Sequence, residues 1–327
     1  MEIRLALKLL ICTLLMWCGS VAAADQSRDP VHWLEKMSSA LRDQNYQGIF
    51  SYMRGSTFDT VRIVHHSLEG RETERLFNLN GAVRELFRRE DEVHCYHPKI
   101  DGVSIEELSD HMVHIGPFST VFSERVLNAQ SLYHLSMHGE DRIAGRVAIK
   151  INISPRRDDR YGYHLWLDKE TGLLLQSHLI ERGRIKEIFQ FTHLEIGHVN
   201  LVDLASALDG ETVSHQLMLE TKELEGKPVW RVSWLPDGFR PVRVVGNRLH
   251  FTDGLATFSV FVDKPGSSPL PELATTVGGT VLITRRLKNA GAQITVVGEV
   301  PVQTAKRVAE SVEPVIYWGS PSRLLKN

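Results

Sequence analysis

The sequence predicts an α+β protein: a curled antiparallel half-barrel with covering helices, followed by a smaller β-rich α/β domain. Three observations predict it. Most of the 327 residues fall into short runs in which apolar and polar residues alternate between turn residues, the two-residue period of half-buried antiparallel strands. The first two hundred residues hold so many of these runs that a twisted sheet built from them must curl. Helical periodicity is confined to a few segments, and the first precedes the strands, placed to lay an apolar stripe on a sheet.

The N-terminus has the layout of a cleaved secretory signal. Arg4 and Lys8 precede an almost wholly apolar run, Leu9 to Trp17, and Ala22-Ala23-Ala24 offers small residues before Asp25. The run is too short to span a bilayer. Trp17 stands before Cys18, where a lipoprotein needs a small residue, so lipidation is not expected. Residues 1–24 are the expected signal, leaving a chain of 303 residues with 36 basic and 39 acidic side chains, formally −3. That length holds two domains, and the charge gives no basic field for nucleic acid. Cys12 and Cys18 leave with the signal; Cys95 alone remains, so no internal disulfide is expected and a periplasmic location fits. An exposed Cys95 would link two chains, so a homo-oligomer stays open.

In chain order, Asp29 caps a first helix with Pro30 at its first position and Trp33, Leu34, Met37 and Leu41 on its apolar stripe. Strands follow at Tyr46–Met53 and Phe58–His65. Arg71–Leu79 turns through Asn80-Gly81, the strongest two-residue hairpin signal, into Ala82–Arg89, and Val93–His97 adds a strand. Ile100 to Gln130 is irregular, with a short helix around Ser119–Asn128. Strands resume at Val147–Ile153, Tyr161–Leu167, Leu173–Ile180 and Ile185–Leu194. The first domain is therefore 25–205 and a linker occupies 206–227. The second domain, 228–316, carries strands at Trp230–Leu235, Leu249–Thr252, Leu255–Val262, Thr280–Leu287 and Gln293–Val300. A helix then buries Ala305, Val308, Ala309 and Val312, and a flexible tail follows at 317–327.

The residues support no specific reaction. G-x-S-x-G, S-x-x-K, the Walker loop, G-x-G-x-x-G and H-E-x-x-H are all absent, and no nucleophile–base pair sits at a known spacing. The chain reads as a binding protein, not an enzyme, with no cofactor. Cys95 and His97 share a strand face, but a metal site needs three or four ligands and only two are local, so no metal is expected. His111 with His114, and His134 with His138, have helical spacing but no Glu between them; they read as ordinary polar histidines.

Several strings, in order, carry a resemblance: Asn45–Tyr52 (NYQGIFSY), Arg160–Asp168 (RYGYHLWLD) closed by Thr171-Gly172-Leu173, Trp230–Phe239 (WRVSWLPDGF), Thr252–Leu255 (TDGL) with Phe258–Phe261 (FSVF), and Ile294–Pro301 (ITVVGEVP) before Thr304–Arg307 (TAKR). Together they resemble the MucB/RseB family of periplasmic sigma-E regulators over essentially the whole mature chain. Ile100–Phe118 and Leu208–Gly226 match no family pattern and inherit no role. The resemblance implies a half-barrel like that of periplasmic lipoprotein carriers, then a smaller domain. It also implies a job: binding the periplasmic domain of a membrane-spanning anti-sigma factor, covering the region proteases cut, and release by lipid or lipopolysaccharide fragments. A periplasmic lipid or lipoprotein carrier is the alternative.

For the lipid pocket the candidates are Phe50, Tyr52, Tyr163, Leu165, Leu167, Phe189 and Phe191 on strands, with Trp33, Met37 and Leu41 on the covering helix. For the partner surface they are the aromatics Trp230, Trp234, Phe239, Phe251 and Phe261, which anchor interfaces, and Arg240, Arg243 and Arg248, which pair with acids.

Overall fold

The structure, a computed structural model, describes residues 29–81, 83, 85–89, 92–98, 126, 130–204, 212–218, 229–245, 247–263, 270–287 and 291–315. The expected signal, the tail, the histidine-bearing stretch around 111–114 and all of the 119–128 helix except Val126 lie outside the described residues.

The first helix, α1 (Pro30–Asp43), begins as its sequence dictates. The Asp29 carboxylate accepts the Val31 N–H at 2.9 Å, and Pro30, with no N–H to satisfy, takes the first turn. Trp33, Leu34, Met37, Ala40 and Leu41 are buried along one stripe. Lys36, at the edge of the stripe with its ammonium 4.7 Å over the Trp33 ring, clips the helix to a turn of the sheet by donating to the carbonyls of Lys169 and Glu170 at 3.1 and 2.8 Å.

Eleven strands make one antiparallel sheet: β1 (Tyr46–Arg54), β2 (Thr57–Leu68), β3 (Arg71–Asn78), β4 (Glu85–Arg89), β5 (Glu92–Pro98), β6 (Tyr133–Ile143), β7 (Arg146–Pro155), β8 (Gly162–Asp168), β9 (Leu174–Glu181), β10 (Arg184–Ile196) and β11 (Thr212–Met218). Their spatial order is β11-β5-β4-β3-β2-β1-β10-β9-β8-β7-β6. Two meanders, β1 to β5 and β6 to β10, are thus joined where β10 returns to pair with β1. β11 lies inside the stretch read as linker and pairs along the whole of β5.

The hairpins are closed by turns other than the one the sequence singles out. Glu69-Gly70, Ala144-Gly145 and Arg182-Gly183 each place both central residues at positive φ, the primed turn that matches strand twist. Asn80 does not adopt positive φ. Its side chain instead accepts the Thr60 N–H and donates to the Phe58 carbonyl, fastening the loop to β2. β6 is a further correction, since His134 and His138 lie on a strand. Tyr133, Leu135 and Met137 alternate against Pro155, Ile153 and Ile151, but a register shift between Met137 and Glu140 breaks the period and hides it in the sequence.

The second sheet has six antiparallel strands, β13 (Arg240–Val245), β14 (Arg248–Thr252), β15 (Thr257–Asp263), β16 (Leu273–Val277), β17 (Thr280–Leu287) and β18 (Ala292–Gly298), in the order β13-β14-β15-β18-β17-β16. One face is covered by α2 (Val302–Glu310). β12 (Trp230–Val232) pairs with β19 (Val312–Pro314), so Val312 is buried from a strand and not from the helix. Neither β13 nor β16 was expected. Pro241 and a register shift interrupt β13, and β16 is a half-exposed edge with no alternation. Each sheet has its own buried core.

Candidate functional site

The concave face of the large sheet gathers all the lipid-pocket candidates. Trp33, Met37, Leu41, Phe50, Tyr163, Leu165, Leu167, Phe189 and Phe191 belong to one buried cluster, and Tyr52 packs at its edge. Register explains this: Phe50 lies opposite Phe191 on β10, Tyr52 opposite Phe189, and Tyr163 and Leu165 opposite Ile153 and Ile151 on β7. Phe50, Phe189 and Phe191 form a triangle with ring centroids 4.9, 5.9 and 5.3 Å apart. Gly48 makes room for it, because a β-carbon there would lie 2.5 Å from the His193 carbonyl and 3.0 Å from the Phe191 ring. At the rim, Tyr52 donates a short hydrogen bond to Glu187; burial and that carboxylate push its phenol far above the ordinary value. Burial does the same to Tyr163.

The partner candidates split by face. Phe239 and Phe251 are 7% and 3% exposed and stack on Phe258 at 5.1 Å, so they are core of the small domain and offer no surface. They alternate with polar residues as an interface strand would, which is why the sequence could not separate the two. Trp230 and Trp234 pack partly buried against that core, and Arg307 lies 4.0 Å over the Trp234 ring. Arg240, Arg243 and Arg248 share the other face, the one without a helix. Arg240 lies opposite Thr252, Arg243 opposite His250 and Arg248 opposite Phe261. The Arg248 guanidinium sits 5.6 Å over the Phe261 ring. Val297 and Leu282 continue this face across β18 and β17, and Asp263 stands at its far end.

The convex side of the large sheet carries a pair the sequence did not single out. His164 and His178 lie directly opposite each other beside Trp166, whose indole donates to Asp141 at 3.1 Å. Burial, then His164 and Lys150, push His178 down to about 4. The unfolded chain therefore protonates His178 near pH 6.5 while the folded one resists until about 4. Folded stability should fall as pH drops from 6.5 to 4. Comparing urea midpoints at pH 7.5 and 4.5 for wild type and His178→Phe checks this: the variant should lose less on acidification, and an identical loss would refute the assignment. Among the described residues no group of three or more His, Cys, Asp or Glu could hold a metal.

Family-level comparison decides the relationship. The MucB/RseB N-terminal domain matches residues 29–217 and the MucB/RseB C-terminal domain residues 225–313. The chain belongs to the MucB/RseB family. The sigma factor AlgU regulatory protein MucB of Pseudomonas aeruginosa is 35% identical over 319 residues, covering 92% of this chain and 97% of the relative. The sigma-E factor regulatory protein RseB of Haemophilus influenzae is 28% identical over 319 residues, covering 95% and 99%. These MucB/RseB relatives carry the names of regulators, not of enzymes. Among solved structures, the Pseudomonas aeruginosa MucA/MucB complex aligns with TM-score 0.70 at 32% identity over 88% of this chain and all of that one. A crystal structure of MucB aligns with TM-score 0.63 at 33% identity over 89% and 98%. The expected half-barrel with a smaller β-rich domain is the fold of this MucB/RseB chain.

Proposed function

We propose that this protein is a periplasmic negative regulator of a sigma-E-type envelope stress response. It holds the periplasmic domain of a membrane-spanning anti-sigma factor and shields it from regulated proteolysis, and lipid or lipopolysaccharide fragments in the half-barrel release it. The observation that carries this reading is the match of both family domains, in order, and the likeness of the chain to MucB solved with the periplasmic part of MucA supports it. The open face of the small sheet supplies a surface for that partner: three arginines on the same face as Phe261 suit an acidic segment crossing β13 to β15. If lipid favours the form that cannot hold the partner, lipid weakens the complex by that difference in affinity.

The test is capture of the anti-sigma periplasmic domain on the immobilised mature chain. The wild type should capture it, and lipopolysaccharide fragments should release it. Reversing two exposed charges together, Arg240→Glu and Arg248→Glu, should weaken capture roughly tenfold or more with an unchanged melting temperature. Undiminished capture would move the partner off this face; no capture by the wild type would remove the regulator reading altogether.

A further inference from the structure

The tight turn between β14 and β15 is buried against the end of the half-barrel. Leu255 is only 5% exposed and belongs to the large domain's apolar cluster, although it comes from the small domain. Two residues before it, the Asp253 side chain is fully buried against Arg160, Oδ2 to Nη1 at 2.6 Å, and the Arg160 side chain is 2% exposed. Arg160 also donates through Nε to Asp159 at 2.7 Å and through Nη2 to the Asp237 carbonyl at 2.6 Å. The Tyr133 hydroxyl reaches Asp253 Oδ2 at 3.4 Å. The other Asp253 oxygen accepts the N–H groups of Leu255 and Ala256 at 2.8 and 2.7 Å, which fixes the angle between carboxylate and leucine.

This turn therefore places an acidic group on a buried guanidinium and a hydrocarbon group in an apolar core, a few ångströms apart. A membrane-derived anionic amphiphile offers the same pair, an acidic head and an acyl tail. We propose that Arg160 and the apolar end of the half-barrel around Leu255 form a binding site for such an amphiphile, filled in this structure by the chain's own Asp253–Leu255 turn. The inference rests on the lipid-responsive reading above and assigns it a place. Asp159 remains on Nε when the turn leaves; Nη1 loses Asp253, and Nη2 loses the Asp237 carbonyl as that loop moves off with the small domain, so both Nη groups can then grip a phosphate head bidentately. A buried ion pair is weak glue, because desolvation offsets most of its attraction, so exchanging one anion for another is cheap. Other contacts along the seam include the exposed Arg157–Asp237 ion pair at 3.1 Å and three hydrogen bonds. The Gly279 N–H donates to Glu187 at 2.7 Å, the Tyr161 hydroxyl to the Val300 carbonyl at 3.0 Å and the Thr304 hydroxyl to the Asp159 carbonyl at 2.8 Å. An amphiphile that takes the place of Asp253 and Leu255 must unseat the small domain, which carries the arginine face.

The experiment uses the mature chain with three probes: myristoyl lysophosphatidylglycerol below its micelle threshold, its choline analogue with no net charge, and glycerol phosphate with no chain. The first should bind saturably, the second several-fold more weakly, the third not at all. Asp253→Asn keeps the turn's own hydrogen bonds but removes the competing anion, and should tighten the anionic probe roughly tenfold; Leu255→Ala should tighten it too. Arg160→Gln should weaken the anionic probe, the opposite sign. In the wild type, hydrogen exchange at the Leu255 and Ala256 amides should accelerate when the probe saturates. If Arg160→Gln tightens binding as Asp253→Asn does, or those amides stay protected at saturation, this site is wrong while the lipid reading survives. If neither the wild type nor Asp253→Asn binds any amphiphile, both fall.

Discussion

Replacing Phe50 with alanine is expected to destabilise the large domain by about 3–5 kcal/mol, the range for emptying a well-packed aromatic site. Phe50 is fully buried and touches both partners of its ring triangle, Phe189 and Phe191, under the stripe of α1. Its position is doubly fixed, by the register shift between Ile49 and Phe50 and by the close approach over Gly48, so the surrounding backbone has little freedom to collapse into the gap. Phe58→Ala is the control: that ring is 59% exposed and its loss should change stability by no more than about 0.5 kcal/mol. Urea unfolding followed by tryptophan fluorescence compares them. The size of the effect also separates a packed core from a lipid pocket. A loss below about 1 kcal/mol at Phe50 would mean that the ring faces unfilled space, since truncation there removes few contacts. The triangle predicts the larger loss at the Phe50 end, with any acyl chain entering elsewhere along the concave face.

The parts of the fold that were legible in the sequence are those where one local rule dominates. The Asp29-Pro30 start of α1, the clean alternation of Val147 to Ile153 in β7 and the pairing of β17 with β18 each follow from capping or period alone. The parts that were not legible are those where tertiary contact overrides a local signal. Asn80-Gly81 carries the hairpin dipeptide, yet Asn80 spends its side chain on β2; Ala144-Gly145 carries no such signal and forms the primed turn. β6 is interrupted by its shifted register and β13 by Pro241, so neither shows an unbroken period. The candidate site divides in the same way. Aromatics on the concave face were found because their strands alternate in phase. The contact of Arg160 with Asp253 was not found, because 93 residues of chain separate the two and nothing local to either announces the other. The string Thr252–Leu255 is a family motif, but the burial of its Leu255 in the opposite domain is a fact of the assembled structure.

Removing the Glu85 carboxylate should be among the most damaging single changes outside the aromatic core. Arg75 on β3 and Glu85 on β4 meet diagonally, Arg75 lying opposite Phe87 and Glu85 opposite Phe77, with side chains 6% and 3% exposed and bonded at 2.5 and 3.1 Å. Arg75 Nη1 also donates to the Asp203 carbonyl at 2.7 Å, and the Asp203 carboxylate holds Arg62 at 2.6 Å. That knot ties the chain leaving β10 to the outer wing of the sheet. Glu85→Ala leaves the guanidinium buried without its carboxylate, which costs about 3–5 kcal/mol. The double replacement Arg75→Met with Glu85→Leu removes both charges and fills the space, and should recover most of that loss, because desolvating the pair had offset much of its attraction. The damage should be local in a definite direction. β4 is only five residues long, and β5 and β11 lie outboard of it, so weakening the β3–β4 step loosens all three strands while the β6 to β10 half stays intact. Hydrogen exchange at Leu86 and Phe87 should rise in Glu85→Ala and return toward wild type in the double variant. Equal destabilisation by the single and double changes would show that Arg75 and Glu85 contribute separately, and the coupling argued from their geometry would fail.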